Sequence, residues 1–175
     1  MAKVLILYST TDGHTVEICN RLTKSLEQGG DSVEMLDLID SPSLDGRDFD
    51  KIVIGASIRY GKHQPAVYKF IANNQAALEA HPNALFSVNL VARKPEKNTP
   101  ETNPYLRKFL KQIDWKPQNL GVFAGKVVYP ALGPFDRTMI RFIMWMTKGP
   151  TDPTGTYEFT DWNKVDEFGR MVAAL

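Results

Sequence analysis

A loop rich in hydroxyl groups follows the first apolar run of the chain. The run KVLILY (3–8) has the composition of a strand buried on both faces, and the loop STTDGHT (9–15) leads directly into a helical pattern. Hydroxyls and backbone N–H groups at a helix N-terminus form an anion site. Because the loop lacks Lys and Arg, it suits a phosphate monoester held by neutral donors. The alternative is an ordinary capped turn, with Asp12-Gly13 as the turn and Thr15 as the N-cap.

The same loop argues against two common nucleotide sites. It matches neither the G-x-x-x-x-G-K-S/T motif of triphosphate sites nor the G-x-G-x-x-G motif of dinucleotide sites. The three histidines, His14, His63 and His81, are scattered, so we predict no metal site and no Ser-His-Asp or Cys-His arrangement. We expect His63 on the surface, with a role as proton acceptor as the alternative. This pattern fits chemistry that a cofactor performs.

The composition is that of a soluble globular protein. The 175 residues are 43% hydrophobic and 23% charged, with a formal net charge of +1. We therefore expect one domain, residues 1–175, and no nucleic-acid partner. The single cysteine, Cys19, excludes an internal disulfide and lies on the apolar face of a predicted helix, which indicates an inert buried thiol. MAKVLILYS does not have the pattern of a signal peptide, and no apolar stretch reaches the ~18 to 20 residues of a membrane span.

Apolar runs typical of strands alternate with amphipathic helical patterns along the chain. This alternation predicts an α/β fold with a parallel sheet and helices on both faces. Five strands fit the flavodoxin-like, doubly wound order 2-1-3-4-5. The predicted strands are 3–8, 32–38, 51–57, 84–91 and 120–129, and the predicted helices are 15–28, one that starts near Pro65, 104–113 and 161–174.

Three loops of this predicted sheet meet at one edge. In such folds ligands bind beyond the carboxyl ends of the strands where the winding reverses, which here means after strands 1, 3 and 4. The loops at those positions are 9–15, SIRYGKHQ (57–64) and the region NLVARKPEKN (89–98). They are therefore predicted to form one binding site.

The loop 9–15 resembles the FMN phosphate loop of flavodoxins, S/T-x-T-x-x-x-T in outline. The resemblance implies that FMN is the cofactor and that this loop surrounds its phosphate, with the acid Asp12 turned away from it. It also implies that GASIRYG (55–61) approaches one face of the isoalloxazine, on which Tyr60 would stack. The cofactor-binding residues predicted in this way are Ser9, Thr10, Thr11, Asp12, Gly13, His14, Thr15, Ser57, Ile58, Arg59, Tyr60, Gly61, Ser87, Val88, Asn89 and Leu90.

GASIRYG and SVNLVARKPEKNTPETNPY (87–105) resemble a narrower group, the menaquinone-dependent protoporphyrinogen IX dehydrogenases of bacteria. The resemblance extends along essentially the whole chain, including FDRTMIRFIMWM (135–146) and TDWNKV (160–165). It implies an FMN enzyme of haem biosynthesis that oxidises protoporphyrinogen IX to protoporphyrin IX and passes electrons to menaquinone or ubiquinone. The alternatives are an electron-carrier flavodoxin, an FMN-dependent NAD(P)H:quinone reductase and a non-enzymatic membrane-docking module.

Basic residues surround the predicted site, whereas a carrier flavodoxin usually presents an acidic face to its partners. Arg59 and Arg93 are our candidate substrate contacts, because a guanidinium can bind a carboxylate through two hydrogen bonds. Protoporphyrinogen carries two propionates. The alternative is a solvated basic loop, which we expect for Lys97. The basic residues are Arg59, Lys62, Arg93, Lys94 and Lys97.

The segment at about 130–157 is predicted as a helical insert in the last strand. Within residues 134–148, apolar side chains share one side of the helix, and Arg137, Arg141 and Lys148 share the other. A helix this short cannot span a bilayer, but it can lie in the interface with its basic residues near lipid phosphates. With the quinone dependence that the resemblance implies, this predicts a peripheral protein on the anionic cytoplasmic face of the inner membrane. The alternative is a helix packed on its own core or a self-association surface.

Overall fold

Five parallel strands form the centre of the fold. The computed structural model describes residues 1–175. The strands lie in the order β2-β1-β3-β5-β6, which confirms the predicted flavodoxin-like order. Their bounds are β1 (Lys3–Ser9), β2 (Ser32–Asp37), β3 (Lys51–Arg59), β5 (Asn83–Asn89) and β6 (Leu120–Ala124), and a short β4 (Lys62–His63) pairs with β3.

Helices cover both faces of this sheet. Successive side chains of a strand point to opposite faces. Accordingly Leu5 and Leu7 of β1 belong to the core on one face, and Val4 and Ile6 belong to the core on the other. The first core is completed by α2 and α3, the second by α1 and α5. The helices are α1 (His14–Gln28), α2 (Pro65–Ala80), α3 (Pro104–Gln112), α4 (Pro134–Met146) and α5 (Trp162–Ala173).

The predicted loop 57–64 is a β-hairpin. Strand β3 continues to Arg59, turns through Tyr60 and Gly61, and pairs antiparallel with β4 in the register Arg59↔Lys62. Both turn residues have positive φ, 51° at Tyr60 and 77° at Gly61. Two-residue hairpin turns of this kind need positive φ at both positions, and the position of Tyr60 is normally filled by Asn, Asp or Gly. The segment predicted as a loop is therefore a defined two-residue turn between paired strands.

The predicted strand 120–129 is two strands in two different sheets. β6 ends at Ala124, and after Gly125 the chain leaves the main sheet as β7 (Lys126–Val128). β7 pairs antiparallel with β8 (Thr156–Glu158) in a separate two-stranded sheet, and α4 connects them. The insert therefore occupies residues 126–158 and not only the predicted range of about 130–157. Gly125 is the only local signal of the break, because the residues on both sides are equally typical of a strand.

Helix α4 packs on the insert's own small core and leaves a second apolar face in solvent. Ile140 and Met144 are buried with Val127 and Tyr129. Phe135, Phe142, Trp145 and Met146 are exposed. Both predictions for this helix therefore hold in part: one apolar face is exposed, and the other packs on a core of the insert.

The predicted basic stripe of α4 turns largely toward the protein. Arg137 donates hydrogen bonds to the carbonyl oxygens of Tyr129 (Nε, 3.1 Å) and Leu132 (Nη2, 3.1 Å). Arg141 Nε donates to Thr151 O at 2.9 Å. The guanidinium of Arg137 is therefore engaged with backbone carbonyls of the turn before the helix, and the contact of the basic residues with lipid phosphates stays a prediction.

No helix in the structure has both the length and the apolar character that a membrane crossing requires. Cys19 is a free thiol with no exposed surface, as predicted, and burial raises its pKa above the ordinary value.

Candidate functional site

The N-terminus of α1 has no side-chain cap. The N-cap is Gly13, at φ 87°, and no side chain accepts from the first turn. The alternative in which Thr15 is the N-cap is therefore wrong. Thr10 Oγ1 instead accepts from the N–H of Gly13 at 2.9 Å and closes the loop on itself. The first N–H groups of a helix have no partner within the helix, so this terminus is free to donate to an anion.

Three buried hydroxyls beside that terminus have no hydrogen-bond partner. They belong to Ser9 at the end of β1, Thr15 in the first turn of α1 and Ser57 near the end of β3. β1 and β3 are adjacent and parallel, with Ser9 opposite Ala56, so their hydroxyls reach the same edge. A buried hydroxyl without a partner costs free energy. These groups therefore fit a ligand that supplies oxygen acceptors, as a phosphate ester does.

A cleft of about 540 Å³, including its space open to solvent, lies at this edge of the sheet. Residues from all three predicted loops line it, so the structure brings the loops together as the sequence indicated. Ser9, Gly13, Tyr60, Gly61 and Ser87 lie within two positions of a lining residue in the chain but are not part of the lining. The predicted residues that line the cleft are Thr10, Thr11, Asp12, His14, Thr15, Ser57, Ile58, Arg59, Val88, Asn89 and Leu90.

The opposite wall of the cleft was not predicted. It comes from the strand break and the insert, which fold back over the carboxyl edge of the sheet. The sequence does not indicate that these residues reach the cleft, because they do so only since β7 leaves the main sheet. The additional lining residues are Gly125, Lys126, Val127, Val128, Leu132 and Ile140.

A charged cluster connects the hydroxyl loop, the hairpin and the insert. Arg59 Nη2 pairs with the carboxylate of Asp12, and Arg59 Nη1 lies 3.2 Å from Asp136 Oδ2. The hydroxyl of Tyr60 donates to the other oxygen of Asp136. This hydrogen bond is the main cause that raises the pKa of Tyr60. Asp12 thus faces a guanidinium, which explains how an acid can stand in an anion-binding loop.

The third loop is fixed by a reciprocal pair of buried amides. Asn89 Nδ2 donates to Asn103 Oδ1 (3.2 Å), and Asn103 Nδ2 donates to Asn89 Oδ1 (2.9 Å). The same oxygens accept from Ala92 N and Leu106 N, so each amide also caps the turn or helix that follows it. The position of Asn89 at the cleft is therefore set by its contact with Asn103, the N-cap of α3.

Arg93 does not line the cleft. Its Nη1 donates to Leu90 O at 2.9 Å, and its Nη2 donates to Thr147 O at 2.9 Å. Burial lowers its pKa below the ordinary arginine value. Because both terminal nitrogens already serve carbonyl oxygens, Arg93 holds the end of α4 in this structure and is not presented to the cleft.

The side chain of His14 is held by protein groups on both ring nitrogens. Nδ1 lies 2.8 Å from Glu17 Oε2, and Nε2 lies 2.6 Å from Thr160 Oγ1. The hydroxyl of Thr160 donates to Ala124 O, so Nε2 is the donor to Thr160. Glu158 also comes within 4.8 Å of His14 and Glu17, but Lys126 Nζ lies 3.7 Å from Glu17 Oε1. A cation in that position opposes metal binding.

Comparison with known proteins identifies the family. A flavodoxin-domain family model matches residues 5–154. A protoporphyrinogen IX dehydrogenase (quinone) from Leishmania major is 45% identical over 99% of this chain and 75% of its own length. The protein of that name from Escherichia coli strain K12 is 43% identical over 99% of this chain and 96% of its own. This chain belongs to the protoporphyrinogen IX dehydrogenase (quinone) family. A family of flavodoxin-domain proteins implies a flavin cofactor.

The fold is that of flavodoxins in general. A short-chain flavodoxin associated with a non-canonical PDU bacterial microcompartment superimposes with a TM-score of 0.58 at 13% identity, over 99% of this chain and 98% of its own. At this identity the likeness concerns the fold alone. Independently of this likeness, the unpaired hydroxyls and the uncapped helix start of this chain are suited to an anionic ligand.

His63 is buried next to the cleft residues, so the expectation of a surface histidine is wrong. It is 5% exposed, its ring packs 4.6 Å from that of Phe109, and its Nε2 lies 2.9 Å from Ser87 Oγ. Burial lowers its pKa from 6.5 to about 4. The two-residue strand β4 carries no periodicity that would have indicated this burial.

We expect His63 to make the protein sensitive to mild acid. Between the folded pKa of about 4 and the ordinary value, the unfolded chain binds more protons, so the free energy of unfolding falls as pH is lowered through this window. The loss approaches about 3 kcal/mol near pH 4. Urea unfolding between pH 4 and 8, at equal flavin loading, is expected to show a flatter pH dependence for His63→Gln than for wild type. His81→Gln is the control, and parallel curves for wild type and His63→Gln would contradict the assignment.

Proposed function

We propose that this chain is an FMN-dependent dehydrogenase that oxidises protoporphyrinogen IX to protoporphyrin IX and passes the electrons to menaquinone or ubiquinone. Its relatives of 43% and 45% identity are named for this reaction. The observation that carries the proposal is the set of unpaired buried hydroxyls of Ser9, Thr15 and Ser57 at the uncapped start of α1. Thr15 and Ser57 line the cleft and Ser9 directly precedes its lining residue Thr10, so the set fits an anionic oxygen ligand at the start of α1.

The residues favour FMN over other flavins. The hydroxyl loop leads at once into α1, so the donors converge at a helix end, which suits a terminal phosphate. Ser9, Thr15 and Ser57 would supply hydroxyl donors, and the first N–H groups of α1 would supply backbone donors. Neutral donors suffice because the helix end adds a favourable partial positive charge.

The protein supplies binding, orientation and exclusion of water around the flavin. When bound, FMN would supply the redox chemistry, taking electrons from the porphyrinogen two at a time and passing them to the quinone, so that three cycles account for the six electrons between protoporphyrinogen and protoporphyrin. Val127 and Ile140 form an apolar part of the cleft wall and are both buried. Tyr60, 43% exposed at the hairpin turn, is our candidate for stacking on the isoalloxazine.

Arg59 remains our candidate for a substrate carboxylate. It lines the cleft and its side chain is 17% exposed. Its guanidinium already faces two carboxylates, Asp12 and Asp136, and a propionate would have to share it or replace one of them. An arginine in such a cluster selects a planar carboxylate geometry.

We also propose that α4 is the contact with an anionic membrane, at the cytoplasmic face of the inner membrane. The support is an exposed apolar face in which Phe135 and Trp145 are each 70% exposed and Phe142 is 51% exposed. Since Arg137 is engaged with backbone carbonyls, the attraction to anionic lipid rests on Lys148 and, in part, on Arg141. Burial of apolar side chains therefore contributes more to the proposed binding than charge does.

FMN binding tests the phosphate assignment. Thr15→Val removes a hydroxyl that has no protein partner, so it is expected to weaken FMN binding by roughly 10- to 100-fold, as for loss of a hydrogen bond to a charged group. Riboflavin, which lacks the phosphate, is expected to bind wild type and variant alike. Thr23→Val is the matched control, because Thr23 carries another unpaired buried hydroxyl on α1. Equal affinity of wild type for FMN and riboflavin would contradict a phosphate site.

Anaerobic mixing tests the reaction. Protoporphyrinogen IX is expected to bleach the FMN absorbance of the loaded protein, and a menaquinone analogue is expected to restore it. NADH and NADPH are the controls for a nicotinamide-dependent quinone reductase, and bleaching by them alone would contradict the proposal. Arg59→Ala is expected to raise KM for the porphyrinogen roughly tenfold or more, and Arg93→Ala to lower the melting temperature with KM unchanged.

Vesicle sedimentation tests the membrane contact. Wild type is expected to sediment with anionic vesicles. Phe142→Ser with Trp145→Ser is expected to weaken this by at least about tenfold, since burying each ring is worth roughly 1.5–3 kcal/mol. Flavin absorbance is expected to persist, because Ile140 and Met144 form the buried face. Ile39→Ser is the control, since Ile39 is 69% exposed and follows β2 at the other edge of the sheet. A wild type that ignores vesicles, or a variant that loses its flavin, would contradict the proposal.

A further inference from the structure

The first turn of α4 contacts the hairpin at the mouth of the cleft. Asp136 accepts the hydroxyl of Tyr60 with one carboxylate oxygen, and its other oxygen lies 3.2 Å from Arg59 Nη1. We propose that Asp136 is a positioning residue of the flavin site, which holds the ring of Tyr60 and the guanidinium of Arg59 in place and so makes the insert part of that site. This inference rests on the proposed FMN function.

Tyr60 needs an external restraint to hold one orientation. Its backbone has φ 51°, in the left-handed region that non-glycine residues rarely adopt, and its side chain projects from a two-residue turn. The ring is 43% exposed. Its neighbours are Phe135, in an edge-to-face contact at 6.4 Å, and Arg59, 5.9 Å above the ring. The hydrogen bond to Asp136 is the contact that fixes the direction of the phenol.

Asp136 itself is held firmly. It lies in the first turn of α4, where the helix dipole favours a carboxylate. The following turns are anchored by Ile140 and Met144 in the core of the insert. Arg137, the next residue, is bonded to the backbone carbonyls of Tyr129 and Leu132. The carboxylate is therefore presented from a rigid element, as positioning requires.

The charges of the cluster also support a positioning role for Asp136. One guanidinium lies between Asp12 of the hydroxyl loop and Asp136 of the insert. Without Asp136, Arg59 loses the partner that draws it toward α4, and its pairing with Asp12 becomes its main restraint. A substitution at Asp136 in the insert would then alter the position of Arg59 in the hairpin and its pairing with Asp12 in the hydroxyl loop.

The experiment measures flavin emission and the FMN dissociation constant in loaded holoprotein. A tyrosine ring in contact with a flavin quenches its emission, so Tyr60→Ala is expected to brighten it and sets the scale. Asp136→Ala is expected to brighten emission in the same direction and to weaken FMN binding about fivefold, the value of one hydrogen bond. Asp136→Asn keeps an oxygen acceptor for Tyr60 and is expected to restore the quenching. Asp152→Ala, which alters an exposed carboxylate of the same insert bonded to Thr154, is the control and is expected to change neither quantity.

A double-variant comparison separates positioning from a general effect on folding. If Asp136 acts through the phenol, Tyr60→Phe and Asp136→Ala change the emission by similar factors, and the double variant changes it no further. Independent, multiplying effects would overturn the proposal. Unchanged emission in Asp136→Ala, or no recovery with Asn, would also overturn it. Failure of the proposed function would give a different result, because wild type itself would then bind FMN no better than riboflavin.

Discussion

The burial of the central strands on both faces is the constraint on which the rest of the structure depends. β1 supplies Val4 and Ile6 to one core and Leu5 and Leu7 to the other, so a helical layer must cover each side. Parallel strands with helices on both sides require crossover connections, and these return every strand in the same direction. The hydroxyl loop, the hairpin and the third loop therefore all lie at the carboxyl edge of the sheet. The site is a consequence of how the core is buried, and it needs no charged residue to bring the loops together.

Arg59 is where the insert becomes coupled to this edge. It faces Asp12 from the hydroxyl loop and Asp136 from α4, so a single guanidinium joins three segments that are far apart in the chain. The pairing compensates for an acid in a loop built for anions. It also leaves one more carboxylate than guanidinium at the mouth of the cleft. A carboxylate ligand must therefore compete for Arg59, which favours ligands with more than one point of attachment.

The sequence predicted the main sheet, its covering helices and the hydroxyl loop because these features are local. β1 and α1 follow simple apolar periods, and a loop after a buried strand can be placed by topology alone. The far wall of the cleft could not be predicted, because β6 and β7 have the same apolar composition and only Gly125 separates them. The roles of Arg93 and Arg137 also could not be predicted from the sequence. Arg93 meets Thr147 across 54 positions of the chain, and a donor that serves distant carbonyls looks the same in sequence as a free one.

Cys19 gives the molecule a built-in reporter of local opening. It is the only thiol, and it has no exposed surface in the core between α1 and the sheet. A thiol reagent reaches it only after α1 separates from its neighbours, so the rate of modification measures how often that separation occurs. The start of α1 carries the unpaired hydroxyl of Thr15, four residues before the thiol. The rate at which the Cys19 thiol is modified therefore reports how strongly a ligand at the start of α1 stabilises the packing of that helix on the sheet.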